Sequence, residues 1–256
     1  MIVRAECGIG SGIVFDSRPE DEFAEWLIKC RFLHRACASF ELLETLRLDN
    51  GIFWLLARHL ERLGHSAEHF GFDATQAEQA LTHLAERHPT GTWRVRLLLN
   101  RHGEIRTECF ALEPTPEGIT VAMAVTPMES DHEFLRHKTT DRRAYQGFSP
   151  PQGIFDTLLW NTQNEITEFT RGNVVVEFEG QRITPPLICG LLPGVLRAEL
   201  LARGDIIERV IQKDELSKAT RLWWINSLRG TILVDDVLHE ALSDVPQPHG
   251  CKSGSS

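Results

Sequence analysis

A lysine acts as a nucleophile only when its amine is partly neutral. Lys138 lies in Phe134-Leu-Arg-His-Lys138-Thr-Thr-Asp-Arg-Arg-Ala-Tyr145, where cationic neighbours would depress an amine pKa in a closed site. Such an amine can form a Schiff base with a carbonyl. Further on, Glu168 stands in Glu165-Ile-Thr-Glu168-Phe-Thr-Arg-Gly-Asn173, at the entry to the β-branched run Asn173-Val-Val-Val-Glu-Phe178. A third stretch, Leu191-Leu-Pro-Gly194-Val-Leu-Arg197, places Pro193 and Gly194 at the start of an apolar-periodic segment. A helix start offers free backbone N–H groups to a phosphate. Schiff-base lysine, carboxylate and phosphate cradle are together what pyridoxal phosphate requires.

Turn and period signals outline the elements that must carry these groups. Glu179-Gly180 joins the Asn173 strand to Arg182-Ile-Thr-Pro-Pro186 as a hairpin. Phe40 to Leu48 and Ile52 to Leu56 form another across Asn50-Gly51. A helix follows from Leu56 to His69, closed by Gly71, and a second starts at Asp73 with Gln76 at capping-box spacing. Thr92 to Leu99 and Glu104 to Ala111 pair about Asn100-Arg-His-Gly103, whose tip residue Arg101 could catch a substrate carboxylate. The proline-rich Leu112 to Gly118 reads as a linker. Beyond it come a strand, Ile119 to Val125, and then the lysine region, where Tyr145 could share a helical face with Lys138 or simply pack in the core. Asp205 to Ile211 reads as a strand, Asp214 to Ala219 as a short helix, and Leu222-Trp-Trp-Ile runs into the turn Asn226-Ser227-Leu-Arg-Gly230.

The Lys-Thr-Thr, Ile-Thr-Glu…Asn-Val-Val, Thr-Pro-Pro-Leu and Leu-Pro-Gly-Val-Leu-Arg motifs, in this order, resemble the class IV aminotransferases, the fold-type IV pyridoxal-phosphate enzymes. The resemblance runs from about Phe40 to Asp236. It implies an α/β fold of two lobes, residues 35–111 and 119–240 joined by 112–118, with the cofactor in the cleft and a homodimeric assembly. It also implies that Lys138 carries the cofactor, that Glu168 keeps the pyridine nitrogen protonated, and that Tyr145 contacts the cofactor. Arg62, Asn226, Ser227 and the backbone of Val195 and Leu196 would hold the phosphate. Val195-Leu196 stands where the family often has Ile-Thr, so one hydroxyl is lost and the backbone must supply the donors.

Within the family, Asn-Ser-Leu-Arg-Gly and Thr45 favour 4-amino-4-deoxychorismate lyase, which releases 4-aminobenzoate, a folate precursor, and pyruvate. Lys138 would then move the ring proton, with Thr45 assisting or serving only as a strand residue. A class IV transaminase of branched-chain or D-amino acids or amines shares the lysine and glutamate, and a non-catalytic fragment is the third reading. Two departures motivate the third. Leu33-His-Arg-Ala-Cys-Ala-Ser39 replaces the family's usual opening loop, and bulky Phe169 and Arg171 flank the glutamate, where they could reshape the pocket.

Residues 1–34 resemble instead the last strand and helix of the chorismate-binding subunits of aminodeoxychorismate and anthranilate synthases. Glu22, Glu25 and Lys29 fall at functional positions of that family, but the rest of such a site is missing. This implies a synthase-lyase junction and a possible synthase partner. The 256 residues, 42% hydrophobic and 25% charged, suit a globular protein of one or two domains. A net charge of −9 argues against nucleic acid or an anionic membrane as partner. With no apolar run of spanning length, no leader pattern and six cysteines lacking CxxC spacing, the expected location is cytoplasmic. His65 and His69, one helical turn apart, lack a third ligand in sequence, so no metal is expected. The tail 241–256 is expected to be disordered.

Overall fold

The computed structural model describes Arg18, Pro19, residues 40–129 and residues 133–239. The synthase-like segment, apart from Arg18 and Pro19, and the tail 241–256 lie outside the described residues. The described residues from Glu41 to His239 form one compact unit, and it contains two sheets.

The first sheet has four strands in the order β2-β1-β3-β4. Its centre is β1 (Leu42–Asp49), paired antiparallel with β3 (Thr92–Leu99) over its full length. β2 (Ile52–Phe53) and β4 (Ile105–Ala111) flank them. Asn50 and Gly51 both have positive φ, so the tight turn after β1 is built from residues that tolerate it. Strand alternation in β1 buries Leu42, Glu44, Leu46 and Leu48 and turns Leu43, Thr45 and Arg47 to the other face. Helix α1 (Leu56–Phe70) packs on β1, burying His59, Leu63, Ser66 and Ala67, and ends at left-handed Gly71. Helix α2 (Ala77–Arg87) begins later than the capping-box spacing suggested: the Asp73 carboxylate accepts from Thr75 N at 2.9 Å and closes a local turn, and Gln76 provides no side-chain cap.

The second sheet has eight strands in the order β10-β9-β8-β11-β12-β5-β6-β7. These are β5 (Gly118–Met123), β6 (Thr157–Trp160), β7 (Ile166–Phe169), β8 (Asn173–Phe178), β9 (Gln181–Thr184), β10 (Ile207–Glu208), β11 (Arg221–Asn226) and β12 (Gly230–Leu238). The expected hairpin across Glu179-Gly180 is β8–β9, and the expected strand from Asp205 shortens to β10. The anticipated short helix near Asp214 is a 3-10 helix, Lys213–Lys218. One apolar cluster centred on Val174, Val176, Phe169 and Trp224 holds this sheet, and helix α3 (Val195–Ala202) packs against β11. Among the described residues, no helix is long and apolar enough to cross a membrane.

Candidate active site

The lysine segment docks on the first sheet. Leu43 N donates to Lys138 O at 2.9 Å, Thr140 N to Glu41 O at 2.9 Å, and Leu42 and Thr139 form an antiparallel bridge. Lys138 is therefore held by backbone at the start of β1 rather than by a helix. Its side chain lines a cavity of about 360 Å³ that Glu168, Arg62, Gly194 and Ser227 also line. Burial, with the nearby Arg62 charge, lowers the Lys138 amine to about 8.

Glu168 comes from β7 and is buried. Its Oε1 accepts from Tyr145 O–H at 2.7 Å and its Oε2 from Asn173 Nδ2 at 3.3 Å. Burial raises its pKa to about 8 against the opposing pull of the Tyr145 hydrogen bond, the Leu192 backbone and the Lys138 and Arg142 charges. Tyr145 sits in a 3-10 turn, Arg143–Tyr145, so it does not share an α-helical face with Lys138; it reaches the cavity as the hydrogen-bond partner of Glu168.

The turn after β7 is pinned from below by Asp156, which is fully buried. Its carboxylate accepts from Thr170 Oγ1 at 2.5 Å, Arg171 N at 3.1 Å and Trp224 Nε1 at 2.9 Å. A Cβ on Gly172 would meet the Trp224 ring at 2.6 Å, so only glycine lets the turn lie flat on the indole. Phe169, one of the bulky departures, is buried in the core, while Arg171 extends over the Phe155 ring; both border the cavity.

Arg62 is fixed by a partner that sequence reasoning missed. Glu44 is buried on the helix-packed face of β1 and accepts from Arg62 Nε at 2.9 Å and Nη2 at 2.6 Å. Arg62 Nη1 donates to Pro193 O at 3.1 Å, tying the guanidinium to the turn before α3. Burial alone would raise the Glu44 carboxyl, but the Arg62 charge and the hydrogen bonds from His59 and Arg62 hold it at about 2. Burial lowers the His59 pKa, so the ring is neutral and donates Nδ1–H to Glu44 Oε2 at 2.7 Å. The sequence signal was available: an acid in phase with Leu42, Leu46 and Leu48 must find a buried partner. Glu44→Ala strands the Arg62 charge and is expected to cost about 3–5 kcal/mol of unfolding free energy in urea titrations. The Glu44 contribution is present above the unfolded carboxyl pKa and is lost as pH falls from 4.5 toward 2.

At the other end, Gly194 precedes α3, whose first N–H groups, including those of Val195 and Leu196, have no acceptor within the helix by position. Val195 lines the cavity; the Leu196 side chain packs instead with Val175, Ile206 and Ile225, leaving only its backbone for a ligand. A Cβ on Gly194 would lie 1.7 Å from Asn173 Oδ1, so the backbone is as close to its neighbour as a side-chain-free residue permits. Asn226 Oδ1 accepts from Leu228 N at 3.0 Å and Arg229 N at 2.8 Å, shaping the turn that presents Ser227 to the cavity. Thr45 lies on the cavity wall directly opposite Arg96 of β3. Arg101, proposed for a substrate carboxylate, sits exposed in the β3–β4 turn and is not part of this cavity wall.

A mixed α/β unit with a half-buried lysine, a buried carboxylate and a glycine-led helix start facing one cavity has the fold-type IV architecture. The chain belongs to the amino-transferase class IV family, whose model matches residues 41–237. It is 32% identical, over 73% of its length and 86% of the relative's, to a Schizosaccharomyces pombe protein provisionally assigned as an aminodeoxychorismate lyase. A Mesorhizobium loti structure provisionally described as an amino-acid aminotransferase superposes with a TM-score of 0.72 at 38% identity, covering 77% of this chain and all of that one. The 4-amino-4-deoxychorismate lyase of Pseudomonas aeruginosa shares the fold, with a TM-score of 0.64 at 22% identity over 78% of this chain and 83% of that one.

Proposed function

We propose that the chain is a pyridoxal-phosphate-dependent 4-amino-4-deoxychorismate lyase. The observation that supports it most is the convergence of Lys138, Glu168, Arg62 and the Gly194 helix start on one cavity. These residues fit the cofactor: Lys138 for its aldehyde, Glu168 for its ring nitrogen, and Arg62, Ser227 and the N–H groups of Val195 and Leu196 for its phosphate. When bound, pyridoxal phosphate supplies an electron sink for the carbon next to the substrate amine.

The residues do the rest. Glu168 holds a proton that burial makes costly to release into water, and it would hold that proton for the ring nitrogen of the cofactor. Tyr145 and Asn173 keep that carboxyl aimed. Lys138 Nζ, near neutrality at about 8, takes the proton from the ring carbon that bears the amine. The C–O bond to the enolpyruvyl group breaks, its electrons leave on oxygen, and a returned proton gives pyruvate while the ring becomes 4-aminobenzoate. Atoms balance without an oxidant or a second substrate.

The Mesorhizobium loti likeness supports a second reading, a transaminase using the same lysine and carboxylate. Loaded protein mixed with aminodeoxychorismate separates the two. Stoichiometric 4-aminobenzoate and pyruvate are expected; conversion of the cofactor to its amine form by amino acids, with no aminobenzoate, overturns the lyase. Gly194→Ala is expected to weaken pyridoxal phosphate binding by roughly ten-fold or more, measured by fluorescence titration, because the added Cβ displaces Asn173 and the helix start with it.

A further inference from the structure

Among the described residues, seven cationic side chains and a single carboxylate, Glu168, line the cavity. Three of the cations are matched by acids outside it: Arg62 by Glu44, Arg96 by Glu108 at 2.7 Å, and Arg171 by Asp156 at 3.5 Å. Arg94, Arg142 and Arg229 have no carboxylate within ion-pair distance among the described residues, although the Arg142 charge is felt by Glu168. Their contacts orient them without cancelling charge. The Arg94 guanidinium lies 4.8 Å from the centroid of the Phe110 ring. Arg142 donates Nη2 to Thr170 O at 2.6 Å and stacks on Tyr145 at 4.5 Å. Arg229 donates Nη1 to Glu113 O and Pro114 O, both at 3.1 Å, and belongs to the turn that carries Ser227.

A guanidinium held by a carbonyl or a ring keeps its full charge and most of its donors for a ligand. Arg229, two residues after Ser227 in the same turn, belongs with the phosphate end. Arg94 and Arg142 remain. One comes from β3 on the first sheet and the other from the segment following Lys138, so they approach the cavity from different elements. We infer that Arg94 and Arg142 form a two-point anion clamp that selects an amine substrate bearing two carboxylates in addition to the amine. This deepens the lyase reading and rests on it for the identity of the substrate. Neither residue stood out in sequence, because Arg94 falls in a regular strand and Arg142 in a charged run.

The clamp can be tested with non-reacting probes on the pyridoxal-phosphate-loaded protein by titration calorimetry. Benzene-1,3-dicarboxylate is expected to bind roughly ten-fold or more tightly than benzoate, and benzamide weakest. Arg94→Gln and Arg142→Gln should each erase most of the dicarboxylate advantage, Lys at either position should restore part of it, and Arg203→Gln, remote from the cavity, should leave it intact. Equal binding of mono- and dicarboxylate, or a preference that survives both Gln variants, overturns the clamp. With aminodeoxychorismate, the variants should raise KM more than they lower kcat. Aminobenzoate formed with KM unchanged in both variants sinks the clamp and spares the lyase. A dicarboxylate preference lost in the variants, with no aminobenzoate from the intact protein, keeps the clamp and sinks the lyase.

Discussion

Lys138→Ala is expected to abolish the visible absorbance of the pyridoxal-phosphate-loaded protein and to lower aminobenzoate formation by roughly ten-thousand-fold or more, since one side chain serves as both cofactor anchor and proton carrier. The same change should not weaken the fold. The amine is depressed to about 8 chiefly by burial, so the folded protein holds its charged form at a cost that alanine removes. The backbone bonds of residue 138 to β1 are independent of the side chain. Absorbance and turnover lost together, with an unchanged or raised thermal midpoint, is the expected pattern. An absorbance band that survives in the alanine variant would place the cofactor on another amine and overturn the assignment of Lys138. A lowered midpoint would mean that the amine is structural and that the burial argument is wrong.

The elements that bear the chemistry were legible because their signals are local. The β-branched run of β8, the Glu179-Gly180 turn and the Gly194 helix start each announce themselves within a few residues. What was not legible depends on pairings across the chain. Glu44 reads as one polar residue in a strand until α1 brings Arg62 and His59 against it. Asp156, which fixes the turn after Glu168, lies 68 positions from its partner Trp224. For Tyr145 the sequence left a helical face shared with Lys138 and core packing both open; the 3-10 turn removes the first, and the residue packs against the cluster of Met128 and Leu135 while its hydroxyl reaches Glu168. Asp73 and Gln76 matched a capping pattern, but the Asp73 carboxylate accepts from Thr75 N in a local turn and the helix starts only at Ala77.

The pH response of the cofactor-free protein follows from Glu168 and Lys138 and is changed in a specific way by Glu168→Gln. Glu168 is raised from 4.5 to about 8, so between those values the folded state keeps a proton that the unfolded chain has released. Its contribution to stability is fully present below 4.5 and is lost as pH rises through about 8. Lys138 is lowered from 10.5 to about 8, so above 8 the folded state has released a proton that the unfolded chain still binds, and stability recovers as pH climbs toward 10.5. Thermal midpoints of the cofactor-free protein should therefore pass through a minimum near pH 8. Glutamine cannot ionise, so Glu168→Gln should flatten the descending limb between 4.5 and 8 and leave the rise above it. In turnover the same variant should lose roughly 10²–10⁴-fold in kcat while still binding pyridoxal phosphate, because the amide can fill the space but cannot hand a proton to the ring nitrogen. A descending limb that persists in the variant would assign it to another carboxyl. An unchanged kcat would remove Glu168 from the chemistry and leave it a packing residue between Tyr145 and Asn173.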